Sequence, residues 1–202
     1  DCWCYYSMKE ENIWAKSEKP EDFILTEEHL KEKYKDRLTI LTMDIGNSES
    51  VKRAAESLKI DSIDLIINNA VTVSKDCDKE FFDVNLDYLQ NTFNVTSVGA
   101  LRVIKEFFPF LKRSKTMALI INISSEAGSI SKCWRTNCIE YGMAKAALNM
   151  ATMNLHLAFK NEPNINIFTG SEFKDIIEKE KREGYNQDDI FKKKQINTEN
   201  NE

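Results

Sequence analysis

Three residues in the second half of the chain could perform proton chemistry on an alcohol or a carbonyl group. Ser125 follows a short apolar run, while Tyr141 and Lys145 lie four residues apart in an alanine-rich segment typical of a helix. Residues at this spacing share one helical face, so the phenol and the ammonium would be neighbours. A phenol has a reference pKa of ~10, and a nearby ammonium lowers that pKa by favouring the phenolate. Tyr141 could therefore exchange a proton with a substrate oxygen that Ser125 holds.

The Tyr-x-x-x-Lys spacing alone is not specific, because Tyr5 and Lys9 repeat it without supporting context. The second copy of this spacing, Tyr141 and Lys145, is distinguished by the predicted elements that precede it. Residues 118–123 form a short, isoleucine-rich apolar run, which predicts a strand covered on both faces, as in a parallel α/β sheet. The C-terminal end of such a strand points at a ligand crevice. A strand, a serine pair and a helix in this order favour a catalytic centre.

The rest of the chain alternates short apolar runs with longer segments that are apolar on one face. This alternation predicts an α/β fold with a parallel sheet. We predict strands at residues 2–6, 38–43, 63–67, 118–123 and 164–168. We predict a turn and short helix at residues 77–85, and helices at residues 16–37, from a Ser48 cap to residue 58, at residues 86–112 and after Tyr141.

Polar residues follow two of these predicted strands. Asp44 comes after the second strand, and Asn68, Asn69 and Ala70 end the third. Adjacent asparagines at a buried strand end must satisfy their amide groups, so we expect their side chains to be hydrogen-bonded within the fold. Asp44 has an ordinary alternative, because Asp-Ile-Gly-Asn-Ser is also the sequence of a turn. A binding role and a turn are both open for Asp44.

Residues 117–150 resemble the catalytic segment of the short-chain dehydrogenase/reductases. The resemblance rests on Ser125 at the strand end and on the sequence Glu-Tyr-Gly-Met-Ala-Lys-Ala-Ala-Leu-Asn-Met, which is similar to the branch of carbonyl reductases and bacterial C-factor proteins. It extends over residues 38–168. It implies a Rossmann-like, doubly wound parallel sheet, and an NAD(P)-dependent oxidoreductase that reduces a carbonyl or oxidises a secondary alcohol.

The same resemblance implies catalytic roles for four residues. Tyr141 would be the general acid/base, Lys145 would lower its pKa, and Ser125 would hold the substrate oxygen. Asn94, in the sequence Phe-Asn-Val-Thr, matches the asparagine whose backbone holds a water beside the lysine in this family. Its ordinary alternative is a satisfied amide in a helix interior. The loop at residues 126–140 is longer than usual, so the assignment of Ser125 rests on the strand end.

The resemblance also implies where a nicotinamide cofactor binds. The implied contacts are Asp44 and Ile45 at the adenine, Asn69 and Ala70 beside the cofactor, and Tyr141 and Lys145 on the catalytic helix. The cofactor would be NADP or NAD. Ser7 and Lys9, after the first predicted strand, favour NADP, because its 2′-phosphate needs room and positive charge. A solvated side chain is the more ordinary explanation of Lys9.

One part of the family pattern is absent from the sequence. The family binds the cofactor pyrophosphate over a glycine-rich turn between its first strand and first helix, whereas no glycine here precedes Gly46. We therefore expect an incomplete copy, with a sheet that lacks the first strand and the glycine-rich turn. We expect residues 1–173 to form this partial Rossmann-type domain and residues 174–202 to form a charged tail, partly helical or disordered.

The composition narrows the classes of partner. The net charge is -5 without a basic stripe, which argues against nucleic acid, and no apolar run approaches membrane-spanning length. The five cysteines form an odd set without a Cys-x-x-Cys pair, which predicts reduced thiols in a cytoplasmic protein. The two histidines lack the spacing of metal ligands. The resemblance implies a small-molecule carbonyl or alcohol substrate, and Trp134 and Arg135 could wall its pocket.

A second class of function stays open from the sequence. A catalytically silent relative would act in protein interaction or signalling through its long helices, which in the family pack against another subunit. On either interpretation, the helices that contain Asn94 and Tyr141 predict a homo-oligomer, with Met143, Met150 and Met153 in the core or at the subunit interface. A glycine-rich strand, turn and helix encoded upstream of Asp1 would favour the enzyme.

Overall fold

The computed structural model of the protein describes residues 3–5, 32, 35, 38–131 and 133–170. Within these residues, strands β1 to β5 lie at Trp3–Tyr5, Leu38–Ile40, Leu65–Asn68, Ala118–Asn122 and Ile165–Thr169. Helices α1 to α4 lie at Ser48–Ser57, Leu89–Phe93, Ala100–Leu111 and Ile139–Ala158. Turns of 3₁₀ helix lie at Phe81–Asp83, Leu86–Tyr88, Glu126–Gly128 and Phe159–Asn161. Apart from residues 32 and 35, the predicted helix at 16–37 lies outside the described residues, as does the predicted tail at 174–202.

Strands β3, β4 and β5 form a three-stranded parallel sheet in that order. Its register places Ile66 opposite Ile120, and Ile120 opposite Ile167, so the apolar runs line up across the sheet. All five residues of β4 are buried, as expected for a strand covered on both faces. The predicted parallel α/β arrangement is confirmed, because the apolar runs that suggested it form this sheet.

The core joins this sheet to helices α1 and α3. Its largest fully buried apolar side chains from these elements are Val51, Val103, Leu111, Ile120 and Ile167. The loop after β2 packs against the start of α3 at Gly99, where a Cβ would lie 2.9 Å from Cδ1 of Ile45. A side chain at residue 99 would press on Ile45, so this glycine favours the close approach of the loop to the helix.

The sheet is interrupted between β1 and β3. Strand β1 pairs in parallel with β2, with Trp3 opposite Leu38, and these two form a separate two-stranded sheet. No strand of the described residues pairs with the other edge of β3, where Leu65 is 42% exposed. This pairing fits the doubly wound order 3-2-1-4-5-6 with position 1 unfilled. The expected incomplete sheet is confirmed, and β1 has not moved across to β3.

The predicted helix at residues 86–112 is helical throughout but changes type along its length. A 3₁₀ turn and α2 lead into a π-helical segment at Asn94–Gly99, which α3 continues to Leu111. Segments of π-helix inside α-helices are rare, and those that do occur often lie at functional sites. Here the π-segment begins at Asn94, a predicted site residue. None of the helices in the described part of the chain is long and apolar enough to cross a membrane.

The predicted cap of α1 is wrong by one residue. Asn47, not Ser48, is the N-cap: its side chain accepts a hydrogen bond from the Ser50 amide at 3.0 Å. Ser48 is already the first helical residue, and its hydroxyl instead accepts from Nε of Arg102 at 3.0 Å. Asparagine and serine are similarly favoured at an N-cap, so the sequence did not separate these neighbours.

The prediction that all the thiols are reduced is also wrong. Cys77 and Cys138 are joined by a disulfide, although 61 residues separate them in the sequence. The amide of Cys138 donates to the carbonyl oxygen of Cys77 at 2.6 Å, so the backbone brings the two loops together. Cys133 is exposed and free. No spacing rule predicted this pair, because loops far apart in the chain carry its two halves.

Candidate active site

The end of β4 and the first turns of α4 are held together by a close backbone contact. After β4, the chain runs through Ser125 into the turn Glu126–Gly128, which lies against α4. A Cβ on Gly128 would be 2.7 Å from the carbonyl carbon of Lys145. Because any side chain at this position would collide with helix backbone, Gly128 permits the serine-bearing turn to approach the tyrosine-bearing helix.

Tyr141 and Lys145 are neighbours on α4, as their spacing predicts. The Lys145 ammonium lies 5.6 Å from the centroid of the Tyr141 ring. It donates a hydrogen bond of 2.5 Å to the carbonyl oxygen of Ile123, just beyond β4. Lys145 is only 2% exposed, and this burial lowers the pKa of its amine to about 8. The structure therefore places a positive charge beside the phenol.

The hydroxyl of Ser125 is engaged within its own turn. It donates to Oε2 of Glu126 at 2.7 Å and accepts from the amide of Ala127 at 3.2 Å. Oε1 of Glu126 accepts from Arg135 at 2.6 Å. The hydrogen bonds from Arg135 and then from Ser125 lower the pKa of Glu126 to about 2. Ser125 must release Glu126 before its proton can reach a substrate oxygen.

The predicted pocket wall is only partly formed. Arg135 lies over the Trp134 ring, with its guanidinium carbon 5.0 Å from the ring centroid. Trp134 is exposed, and it therefore does not enclose a pocket with the described residues around it. Arg135 acts on the site through Glu126 and hence through Ser125. The sequence suggested Arg135 as a wall of the pocket, but the intervening carboxylate was not predicted.

Asn94 ties the long helical region to the loop after β2. Its Nδ2 donates to the carbonyl oxygen of Gly46 at 3.0 Å, and its Oδ1 accepts from Nη2 of Arg102 at 2.7 Å. The backbone oxygen of Asn94 accepts from Nη1 of Arg102 at 3.0 Å. Among the described residues, these hydrogen bonds lead to Gly46 and Arg102, and none of them reaches Lys145. The support that the Asn94 backbone would give Lys145 through a water thus stays a prediction.

The predicted cofactor residues other than Tyr141 and Lys145, which lie on α4, divide into two groups. Asp44 is exposed, and its Oδ1 accepts a hydrogen bond from the Gly46 amide at 2.8 Å. This hydrogen bond belongs to the turn that the sequence analysis had left open for Asp44. The other three residues line one small cavity, whose walls are Ile45, Asn68, Asn69, Ala70, Ala100 and Val103. Its free volume is about 10 Å³, which is room for about one water molecule. The cavity is therefore too small, as it stands, to hold part of a dinucleotide.

A buried chain of polar side chains connects this cavity to α4. Nδ2 of Asn68 donates to Oδ1 of Asn122, whose Nδ2 donates to the Thr152 hydroxyl, both at 2.8 Å. Thr152 donates in turn to the carbonyl oxygen of Leu148 at 2.8 Å. The sequence predicted that Asn68 would be satisfied, but it did not identify its partners. Asn122 ends β4 as Asn68 ends β3, and this repetition was the available signal.

A second buried contact that the sequence did not predict holds the π-segment against α4. The Ser97 hydroxyl donates to the carbonyl oxygen of Ala144 at 2.8 Å, and both residues are buried. This hydrogen bond lies next to Lys145 in the chain. It therefore helps to fix the helix that carries both Tyr141 and Lys145.

The chain is similar to curated proteins that are named as oxidoreductases or as short-chain dehydrogenase/reductases. An uncharacterized oxidoreductase of Schizosaccharomyces pombe is 28% identical over 157 residues, which are 74% of this chain and 58% of that protein. A short-chain dehydrogenase/reductase of Pestalotiopsis microspora is 30% identical over 130 residues, which are 64% of this chain and 46% of that protein. The chain thus spans about half the length of these curated relatives.

Solved structures and a family comparison identify the fold and the family. The NADPH-bound carbonyl reductase from chicken fatty liver superposes with a TM-score of 0.61 at 28% identity, covering 70% of this chain and 59% of that one. The sequence model described as short chain dehydrogenase matches residues 6–170, which include β2 to β5 and the Tyr141–Lys145 pair. The chain belongs to the short-chain dehydrogenase family.

Proposed function

We propose that the chain carries the proton-transfer centre of an NAD(P)-dependent oxidoreductase that reduces a carbonyl or oxidises a secondary alcohol. The observation that carries the proposal is the buried Lys145 ammonium, 5.6 Å from the Tyr141 ring and bonded to the strand end that leads to Ser125. Relatives named as oxidoreductases and a carbonyl reductase of similar fold support it. They do not favour the alternative of a catalytically silent interaction protein.

In the proposed reduction, Tyr141 donates its phenolic proton to the carbonyl oxygen. The Lys145 ammonium stabilises the phenolate that remains, because an opposite charge nearby favours the charged form. The Ile123 carbonyl orients this ammonium. Ser125 holds the substrate oxygen after its hydroxyl turns away from Glu126. The nicotinamide cofactor supplies the hydride when it is bound.

We place the adenosine side of such a cofactor at the loops after β2 and β3, where the cavity between Ile45 and Ala70 would have to widen. Ile45, Asn69 and Ala70 would line its adenosine, and Asp44 would accept a hydrogen bond from the adenine amino group. For the pyrophosphate, no glycine-rich turn after a strand occurs in residues 38–131 and 133–170. NADP is favoured over NAD by the NADPH-bound relative of similar fold. Ser7 and Lys9, which suggested NADP from the sequence, lie outside the described residues.

We infer further that the protein is a homo-oligomer that uses α4. Four apolar side chains form an exposed stripe on this helix, namely Met143, Met150, Met153 and Leu157. Their exposure excludes the core position that the sequence had left open for the methionines. Exposed apolar residues at helical spacing favour a helix-to-helix interface. A cytoplasmic location remains a proposal, and the Cys77–Cys138 disulfide removes the fully reduced thiols on which the sequence had based it.

The substitution Tyr141→Phe tests the function. The protein should carry a glycine-rich strand, turn and helix ahead of residue 1, so that the cofactor can bind. We expect the rate of NADPH-dependent reduction of a panel of aldehydes and ketones to fall by about 10²- to 10⁴-fold. The dissociation constant for NADPH should change by less than about twofold, because the phenol proton is used in the transition state. A variant that keeps most of its activity would exclude Tyr141 as the acid.

A further inference from the structure

Two sulfur atoms and a carboxylate form a cluster at the start of α4. The Sγ atoms of Cys77 and Cys138 and a carboxylate oxygen of Glu140 all lie within 4.8 Å of one another. Cys138 is 9% exposed, Glu140 is fully buried, and Cys77 is half-buried. The disulfide joins the two cysteines beside the acid. This cluster is separate from the proton-transfer residues, and the proposed reaction does not use it.

Glu140 has one satisfied and one unsatisfied oxygen. Its Oε1 accepts from the Ser74 hydroxyl at 2.7 Å and from the Ser74 amide at 3.2 Å. Its Oε2 is buried and has no hydrogen-bond partner within the described part of the chain. A buried acceptor without a donor is costly, and a disulfide has no hydrogen to donate. A thiol does, so the dithiol form can offer the neighbouring Glu140 carboxylate a donor that the disulfide cannot.

We propose that Cys77 and Cys138 form a redox modification site that exchanges reversibly with small-molecule disulfides. The thiolate of Cys77 attacks a disulfide RSSR, forms a mixed disulfide and releases one thiol RSH. Cys138 then attacks the sulfur of Cys77, closes the intramolecular disulfide and releases the second RSH. The two protein thiols lose two electrons and two protons, and RSSR gains both. Glu140 favours the reduced form, so the bridge opens readily.

The order of these two steps follows from exposure. Cys77 is half-buried and therefore reachable by a small molecule, whereas the buried Cys138 is reached by its neighbour. The backbone hydrogen bond from the Cys138 amide to the Cys77 carbonyl keeps the two residues close when the sulfurs are apart. The pair therefore has an attacking and a resolving cysteine, with different exposure.

The site acts on α4 through the backbone of Cys138. Its carbonyl oxygen accepts from the amides of Tyr141 at 3.1 Å and Gly142 at 3.3 Å, which forms the first turn of the helix. Cys138 has φ 53°, a left-handed conformation that is uncommon for residues other than glycine. The disulfide anchors this residue, so reduction loosens the turn that positions Tyr141. This consequence for catalysis rests on the proposed function, whereas the exchange chemistry does not.

The exchange is tested on the full chain without an activity assay. The protein is equilibrated with mixtures of reduced and oxidised glutathione, alkylated, and mapped by peptide mass spectrometry. We expect Cys77 and Cys138 to change state together in one two-electron transition, with Cys133 responding independently. A bridge that persists under native conditions in a large excess of reduced glutathione would overturn the proposal, and so would one that never forms in oxidised glutathione.

Single variants then test the order of attack. Cys138→Ser should accumulate glutathione on Cys77, because the resolving thiol is absent, whereas Cys77→Ser should leave Cys138 largely unmodified. Cys133→Ser is the matched control and should leave the transition unchanged. Glu140→Gln should shift the equilibrium towards the disulfide by about tenfold, because Oε2 no longer requires a thiol donor. Equal modification of the two single variants, or no shift with Glu140→Gln, would contradict the mechanism.

Two further measurements distinguish this proposal from a metal site and from the proposed reductase function. Reduced protein is incubated with Zn²⁺ and dialysed, and retention of zinc that depends on Cys77 would overturn exchange in favour of a metal site. In the form that binds NADPH, reduction of the bridge should lower the turnover rate several-fold in wild type but not in Cys77→Ser. If the thiols exchange and no reductase activity is found, the proposed function fails while the modification site stands.

Discussion

Gly128 lies so close to Lys145 that a Cβ at residue 128 would be 2.7 Å from the Lys145 carbonyl carbon. This contact joins the turn that carries Ser125 to the helix that carries Tyr141. The serine and the tyrosine come from different elements, and the distance between these elements depends on a position where only hydrogen fits. The geometry of the proposed catalytic site thus depends on packing at a residue that has no chemistry of its own.

Gly128→Ala should therefore damage activity more than its size suggests. The methyl group has to displace α4 backbone, which we expect to cost roughly 1 to 3 kcal/mol of stability and to separate Ser125 from Tyr141. Denaturant unfolding and steady-state kinetics would measure the two effects. Gly170→Ala is the matched control, because its Cβ would meet the flexible end of Ile123 at 3.2 Å. Equal behaviour of the two variants would show that the contact at Gly128 does not position the site.

Local patterns in the sequence predicted the parts of the fold that depend on local rules. The run at residues 118–123 is apolar and isoleucine-rich, so β4 was predictable, and the spacing of Tyr141 and Lys145 placed them on one helical face. Contacts between distant segments were not predictable in the same way. Cys77 meets Cys138 only because two loops pack together, and Glu126 reaches both Ser125 and Arg135 only through the path of its loop.

The chain of amides and hydroxyls from Asn68 to Thr152 should contribute strongly to stability. Thr152→Val removes the acceptor for Asn122 and leaves its buried Nδ2 without a partner, which we expect to cost about 1 to 3 kcal/mol. Thr42→Val makes the same change at an exposed residue and should have little effect. Urea unfolding of both variants against wild type measures the difference. A loss below about 0.5 kcal/mol at Thr152 would mean that water satisfies Asn122 instead.

The buried amine of Lys145 should make stability depend on pH in the alkaline range. Burial lowers its pKa in the folded protein to about 8, against 10.5 for an ordinary lysine, so the unfolded chain binds more protons between these values. The free energy of unfolding should accordingly rise with pH from about 8 to 10.5. Below pH 8 the contribution of this group should not change with pH, because Lys145 is protonated in both the folded and the unfolded chain. Allowing for solvent screening, we expect roughly 1 to 2 kcal/mol from this group.

Denaturant unfolding at a series of pH values measures this contribution by difference. Lys145→Met should remove the alkaline rise, because no proton is then taken up at residue 145 on unfolding. Lys105→Met, at an exposed position of α3, should retain it. If wild type and Lys145→Met have parallel stability curves above pH 8, the amine has an ordinary pKa.

The apolar stripe on α4 should control assembly. Met150 is 63% exposed at the centre of this stripe, so Met150→Lys would place a charge in the proposed interface. We expect sedimentation velocity to show an oligomer for wild type and a monomer for this variant over the same concentrations. Phe82→Lys removes another exposed apolar side chain, outside α4, and should leave the oligomer intact. A wild-type chain that sediments as a monomer at all concentrations would contradict the interface.

Asp44 offers a way to separate a turn from a binding role. Its Oδ1 already accepts from the Gly46 amide, so Asp44→Ala removes both this hydrogen bond and any contact with adenine. Asp44→Asn keeps an acceptor for Gly46 but loses the negative charge that would strengthen a bond from the adenine amino group. We expect both variants to weaken the binding of adenosine 5′-monophosphate by about 1 to 3 kcal/mol. NMR titration of the full chain measures this binding. Only Asp44→Ala should also lower the unfolding temperature. If Asp44→Asn binds the nucleotide as tightly as wild type, Asp44 belongs to the turn alone, and other residues must hold the adenine.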